Sequence, residues 1–149
     1  KKNLGSDRIA NAIGAQKLKN CLIIDFGTAT TFDVIKNSIY EGGVIAPGVN
    51  LSIKNLSQAT ALLPLINLKS HQKSYGKNTI EALNAGFVWG YEGLINNIID
   101  KIISKSKIRY KILFTGGYAN FFKKMIKKKV VIDQDITVKG IANVYKELI

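Results

Sequence analysis

The chain has 149 residues, 46% hydrophobic and 21% charged, which suits one domain with a real core and excludes a disordered polyelectrolyte. No apolar run is long enough to span a bilayer, and no secretory signal pattern opens the chain. Net charge is +12, yet Arg8 and Arg109 are the only arginines; base and phosphate readout draws on arginine, so the lysine excess weighs against nucleic-acid binding while still attracting an anionic ligand.

The chain opens on Lys1-Lys2-Asn3 with no initiating Met. Ser6 to Leu18 reads as a helix with Ile9, Ala12 and Ile13 on one face, and Ser6 or Asp7 can cap its N-terminus. Cys21 to Asp25 is a bulky apolar run, the mark of a buried strand. Cys21 is the lone cysteine, so no intrachain disulfide exists. Its place in that run points to a buried structural thiol and fits a reducing, cytoplasmic setting. Thr30 to Ile35 is a second strand, Lys36-Asn37-Ser38 a polar turn, and Ile39 to Ala46 a third strand leading to Pro47-Gly48. Together they predict an antiparallel meander.

Asn50 to Thr60 reads as a helix with Leu51, Leu56 and Ala59 facing inward. Ala61 to Gly76 is irregular, broken by Pro64. The single histidine, His71, falls there and reads as a solvated loop residue; one histidine excludes His clusters and His-based triads. Thr79 to Ser104 predicts a long helix with a wide apolar face. Its Gly86, Gly90 and Gly93 either admit close helix contact, within the chain or across a dimer, or mark a break near Gly90. Tyr110 to Thr115 is a fourth strand ending at Gly116-Gly117. Asn120 to Lys128 is a basic helix, Val130 to Asp133 a fifth strand, and Val138 to Ile149 a closing helix. A meander followed by crossover helices gives an α/β fold, a mixed five-stranded sheet flanked by helices. This is the ribonuclease-H-like order of the actin-like ATPase and sugar kinase superfamily, an analogy that does not fix chemistry.

The segment with most chemistry is Asp25-Phe-Gly-Thr-Ala-Thr-Thr31. Asp25 stands at a strand's end, where a carboxylate can reach a metal ion or a water. Gly27 permits a sharp turn and close ligand approach. Thr28, Thr30 and Thr31 bring hydroxyl and N–H donors suited to phosphate oxygens. The same residues also make an ordinary strand-turn-strand corner, since threonine is common in strands.

Four further motifs stand in order around it: Gly5-Ser-Asp-Arg8, Gly42-Gly-Val-Ile-Ala-Pro-Gly48, Gly76-Lys-Asn-Thr79 and Thr115-Gly-Gly117. The ordered set resembles the second half of type III pantothenate kinases, over essentially the whole chain from Leu4. The family phosphorylates pantothenate with ATP, the first step of coenzyme A synthesis, using two actin-like domains in a homodimer.

The resemblance implies that Asp7 is the catalytic base accepting the proton of pantothenate's primary hydroxyl; a helix cap is its other reading, and the two can coexist. Gly5, Ser6 and Arg8 would complete the substrate site, Arg8 gripping or orienting the pantothenate carboxylate, or else lying on the surface. Ser6 stands where the family usually has Ala. Asp25 would bind a monovalent cation, potassium or ammonium. Gly27 and Thr28, with Thr30 and Thr31 nearby, would meet the ATP phosphates, and Mg2+ would accompany the nucleotide. Gly116 and Gly117 would admit the base or ribose, or simply turn the chain from strand to helix. Thr79 would contact pantothenate across the dimer, or sit in the first turn of the long helix.

The family's opening Asp-x-Gly-Asn-Thr phosphate loop is absent. The chain therefore reads as a single C-terminal domain over residues 1–149, with the N-terminal domain supplied in cis or trans and little catalysis expected without it. A non-enzymatic accessory relative of the same family is the alternative function, and a basic nucleic-acid-binding domain a weaker one. The presence of Asp7, Arg8, Asp25 and Thr28 favours the enzyme.

Overall fold

The run at Cys21–Phe26 forms β1, the middle strand of a five-stranded sheet ordered β3-β2-β1-β4-β5. This architecture comes from a computed structural model that describes residues 4–70 and 74–149. The Lys1–Asn3 opening and His71 lie outside the described residues. The remaining strands are β2 (Ala29–Lys36), β3 (Ile39–Pro47), β4 (Lys111–Gly116) and β5 (Val130–Ile132). β1 pairs antiparallel with β2, and β2 with β3; β4 runs parallel to β1, and β5 parallel to β4. The expected meander is therefore present. At its tip Asn37 and Ser38 both adopt positive φ, 51° and 63°, the backbone that a tight two-residue hairpin requires.

Because side chains alternate along a strand, β1 feeds two cores. Leu22, Ile24 and Phe26 point to one face with Phe32, Phe114 and Phe122, while Cys21 and Ile23 point to the other with Ile35, Leu113 and Ile136. Cys21 is fully buried, and burial pushes its thiol up to about 12, so it is an inert packing residue. The larger core is roofed by α2 (Val49–Ala59), α3 (Thr79–Ser106) and the short α4 (Ala119–Lys123). The smaller core is roofed by α1 (Ser6–Gly14) and α5 (Ile136–Leu148).

Several expectations shift. The first helix stops at Gly14 rather than Leu18. Its N-cap is Gly5, with no capping side chain, so neither Ser6 nor Asp7 caps it. Its buried residues are Ala10 and Asn11, while Ile9 is 43% exposed. Helix α2 buries Val49 and Ile53, leaving Leu51, Leu56 and Ala59 outward. The basic helix shortens to five residues. Helix α3 runs unbroken through Gly90. Asn78 caps it by accepting from the Glu81 N–H at 3.0 Å, and Glu81 in turn accepts from the Lys77 N–H at 2.9 Å, a near-reciprocal arrangement of the capping-box kind.

The α1–α5 contact is the least expected. Gly14 meets Ile136 and Gly140 meets Ala10, so closely that a side chain on either glycine would strike the opposing backbone. The spacing of Gly14 and Gly140 in sequence gives no sign of this pairing.

Candidate functional site

The parallel pairing of β1 with β4 brings Phe26 opposite Gly116 and Asp25 opposite Thr115. The β2–β3 register sets Ala29 opposite Pro47. The ends of β1, β3 and β4 and the start of β2 thus share one edge of the sheet, where ligands of open α/β sheets bind. Gly27, Thr28, Gly48, Gly116 and Gly117 cluster there. Gly48 lies directly beneath the Gly27 and Thr28 carbonyls. Gly116, at φ 86°, takes a backbone that L side chains rarely adopt and abuts the Phe26 carbonyl and Asp25 Oδ1.

Asp25 is partly exposed at this edge. Burial raises its pKa, while a hydrogen bond from Asn11 Nδ2 to Oδ2 at 2.8 Å lowers it and the charges of Asp7 and Asp33 raise it further. Desolvation and like charge outweigh the hydrogen bond, so the carboxylate would gain from a cation at its open side. Among the described residues no three His, Cys, Asp or Glu side chains converge as a metal group. On its open side Asp25 Oδ1 stands with the Phe26 carbonyl beside Gly116, an all-oxygen surrounding.

The threonines divide. Thr28 is exposed at the turn. Thr30 is fully buried and donates its hydroxyl to the Pro47 carbonyl at 3.1 Å. That carbonyl also accepts from the Tyr91 hydroxyl at 3.0 Å. Thr31 is 7% exposed. Burial of both, and the bond of Thr30 to Pro47, leave Thr28 as the threonine whose hydroxyl is open at the turn. The backbone donors of the turn are also largely committed: Gly27 N–H bonds the Ala29 carbonyl and Gly117 N–H the Phe26 carbonyl. Gly116 is held at both its N–H and its carbonyl by the side chain of Gln134, at 3.1 and 3.2 Å. The glycines offer space here rather than free donors.

Asp7 sits exposed in the first turn of α1, its carboxylate folded over Gly5 so that a Cβ there would come 2.6 Å from Oδ1. Asp7 lies one helical turn before Asn11, which bonds Asp25, so it shares the helix face turned toward that end of the sheet; its charge is felt by Arg8, Asp25 and Asp33. Arg8 is not a surface residue. Its Nε and Nη2 lie 2.8 and 2.7 Å from Asp33 Oδ1, and Nη2 donates to the Tyr40 hydroxyl at 2.8 Å. Tyr40 donates onward to Asp33 Oδ1, also at 2.8 Å. Asp33 is fully buried, its Oδ2 has no hydrogen-bond partner among the described residues, and burial raises its pKa against the pull of Arg8 and Tyr40. Sequence reading missed Asn11, Asp33, Tyr40 and Gln134. For Asp33 the signal was available: an acid placed among the strand's apolar residues needs a cation.

Thr79 is apart from this group. It is the first residue of α3 and lines a groove of about 510 Å³ with Leu56, Leu63, Leu83 and Phe87. A depression of about 1040 Å³ at the opposite end of the sheet, between Asn20, Lys107, Arg109 and Lys128, contains none of the expected site residues.

A family model described as type III pantothenate kinase matches residues 1–101. The type III pantothenate kinase of Pelagibacter ubique is 52% identical over 141 residues, covering 94% of this chain and 57% of that protein. That of Ruegeria sp. is 40% identical over 146 residues, covering 96% and 56%. Among solved structures, a conserved protein of the Baf family from Campylobacter jejuni superposes with a TM-score of 0.72 at 27% identity, over 99% of this chain and 66% of its own. MreB 5 of Spiroplasma citri, at 14% identity and a TM-score of 0.56 over 95% of this chain and 58% of its own, shares the fold alone. The mixed sheet is thus that of actin-like ATPases and sugar kinases. The chain spans little more than half the length of the curated relatives it matches. By sequence and by fold, the chain belongs to the type III pantothenate kinase family.

Proposed function

We propose that this chain is the C-terminal, actin-like domain of a two-domain kinase that transfers the γ-phosphoryl group of ATP to the primary hydroxyl of pantothenate. The observation that carries this reading is the convergence of Asp7, Asp25 and the Thr28 turn on one sheet edge. Phosphoryl transfer asks a protein mainly for positioning and charge stabilisation, and the edge supplies both. Asp7, exposed and uncapped, accepts the hydroxyl proton as the oxygen attacks. Gly5 leaves room for the Asp7 carboxylate, and Ser6 and Arg8 line the substrate side. Thr28 meets phosphate oxygens, with Gly27 shaping the turn. Gly116 and Gly117 leave space for base or ribose.

Asp25, with surrounding carbonyls, would hold potassium or ammonium, which when bound offsets phosphate charge; Mg2+ travels with the nucleotide. The partner half, in cis or trans, closes the cleft over ATP. A cytoplasmic setting accords with the buried free thiol of Cys21. Among the described residues no helix is long and apolar enough to cross a membrane.

A homodimer accords with the exposed face of α3. Ile80 is 58% and Trp89 44% exposed, and among the described residues nothing besides the helix's own backbone lies within 4 Å of where a Cβ on Gly86, Gly90 or Gly93 would stand. A second copy there would bring Thr79 to the partner's pantothenate. The full-length protein, given ATP, Mg2+, potassium and pantothenate, should yield phosphopantothenate by mass spectrometry. ATP hydrolysis with pantothenate left unmodified would contradict the assignment.

A further inference from the structure

Asn11 is completely buried between the sheet and α5. Its amide nitrogen donates to Asp25 Oδ2 at 2.8 Å, and its amide oxygen accepts from the Thr137 hydroxyl. The direction of this chain of bonds is fixed from one end. An ionised carboxylate only accepts, so Asn11 must turn its NH2 to Asp25 and its oxygen to Thr137, which must donate. The three residues come from β1, α1 and α5, and 126 positions separate Asn11 from Thr137. The glycine contacts of Gly14 with Ile136 and Gly140 with Ala10 hold the two helices at the spacing these bonds need.

The consequence falls on the other oxygen of Asp25. With Oδ2 tied inward, Oδ1 is the atom beside Gly116 and Gly27, where added Cβ atoms would stand 2.8 and 3.8 Å away. We propose that Thr137 and Asn11 are positioning residues that select which Asp25 oxygen faces the cation and phosphates, so that α5 controls cation affinity from outside the ligand shell. This rests on the reading of Asp25 as the cation ligand. Outer partners that orient a metal ligand typically change affinity 10–100-fold when removed.

The test uses full-length protein without substrates. Its thermal midpoint is titrated with KCl, with choline chloride holding ionic strength constant. The wild-type midpoint should rise and saturate, and Asp25→Asn should abolish the response. Thr137→Val keeps the side-chain shape but loses the donor, and should raise the half-saturating potassium concentration by about 10-fold. Thr137→Ser should restore it. If Thr137→Val is not recovered folded, Thr137→Ala is compared with Thr137→Ser in the same titration. A helix-docking role alone would lower the midpoint at every potassium concentration without moving the half-saturation point. Unchanged half-saturation in the Thr137 variants, with the response lost in Asp25→Asn, overturns the relay. A potassium response that survives Asp25→Asn, or is missing from the wild type, overturns the cation reading and the relay with it.

Discussion

Asp7→Asn in the full-length protein is expected to lower kcat by about 10²–10⁴-fold, the usual worth of a positioned general base. Asn keeps the shape of the side chain and can still hydrogen-bond the substrate hydroxyl, but it cannot take the proton. Stability should barely change. Asp7 is exposed and does not cap its helix; surface substitutions of this kind stay within about 0.5 kcal/mol. ATP affinity should persist as well, since the nucleotide side is assigned to Thr28 and the glycines. Steady-state kinetics with a urea midpoint on the same preparation separates these effects. Retained kcat would remove Asp7 from the proton transfer and leave it as a first-turn acid that favours the helix dipole.

Arg8→Ala should behave differently. Deleting the guanidinium leaves Asp33, fully buried and with one oxygen unpartnered among the described residues, as an uncompensated interior charge. Breaking a buried pair in this way costs about 3–5 kcal/mol. The loss should appear as a lower urea midpoint with or without ligands. An arginine acting on substrate alone would instead raise the KM for pantothenate at unchanged stability. The double change Arg8→Met with Asp33→Asn should recover part of the loss, because the orphaned charge is gone. An unchanged midpoint in Arg8→Ala would show that the Arg8–Asp33–Tyr40 cluster carries no structural weight. Under the proposed function Asp7 acts on the ligand side, while Arg8, besides lining that side, ties α1 to the sheet through Asp33.

The strands and their order could be read from the chain because β1 and β2 are dense apolar runs bounded by glycine and polar turns, and α3 because its apolar face repeats over seven turns. The inward face of α2 could not. Leu51 and Leu56 look like core residues by composition, yet the helix is rotated so that Val49 and Ile53 meet the sheet. The setting of the Thr30 hydroxyl was equally hidden, since only the β2–β3 register sets it against the Pro47 carbonyl. The Asn11–Thr137 link and the Gly140–Ala10 contact depend on α1 packing against α5 at opposite ends of the chain. No local periodicity encodes such a contact. The fold brings the Asp25 to Thr31 turn and the Thr115-Gly-Gly117 motif to one sheet edge; the residues that support that edge are set only by tertiary packing.

The proposed function gives this chain one side of a two-domain phosphoryl-transfer cleft. Its most direct test is phosphopantothenate formation measured side by side for the 149-residue chain and for the full-length protein, at equal concentration with ATP, Mg2+ and potassium. Turnover by the full-length protein and negligible product from the shorter chain is the predicted result. Comparable turnover by the shorter chain, or none by the full-length protein, would contradict it.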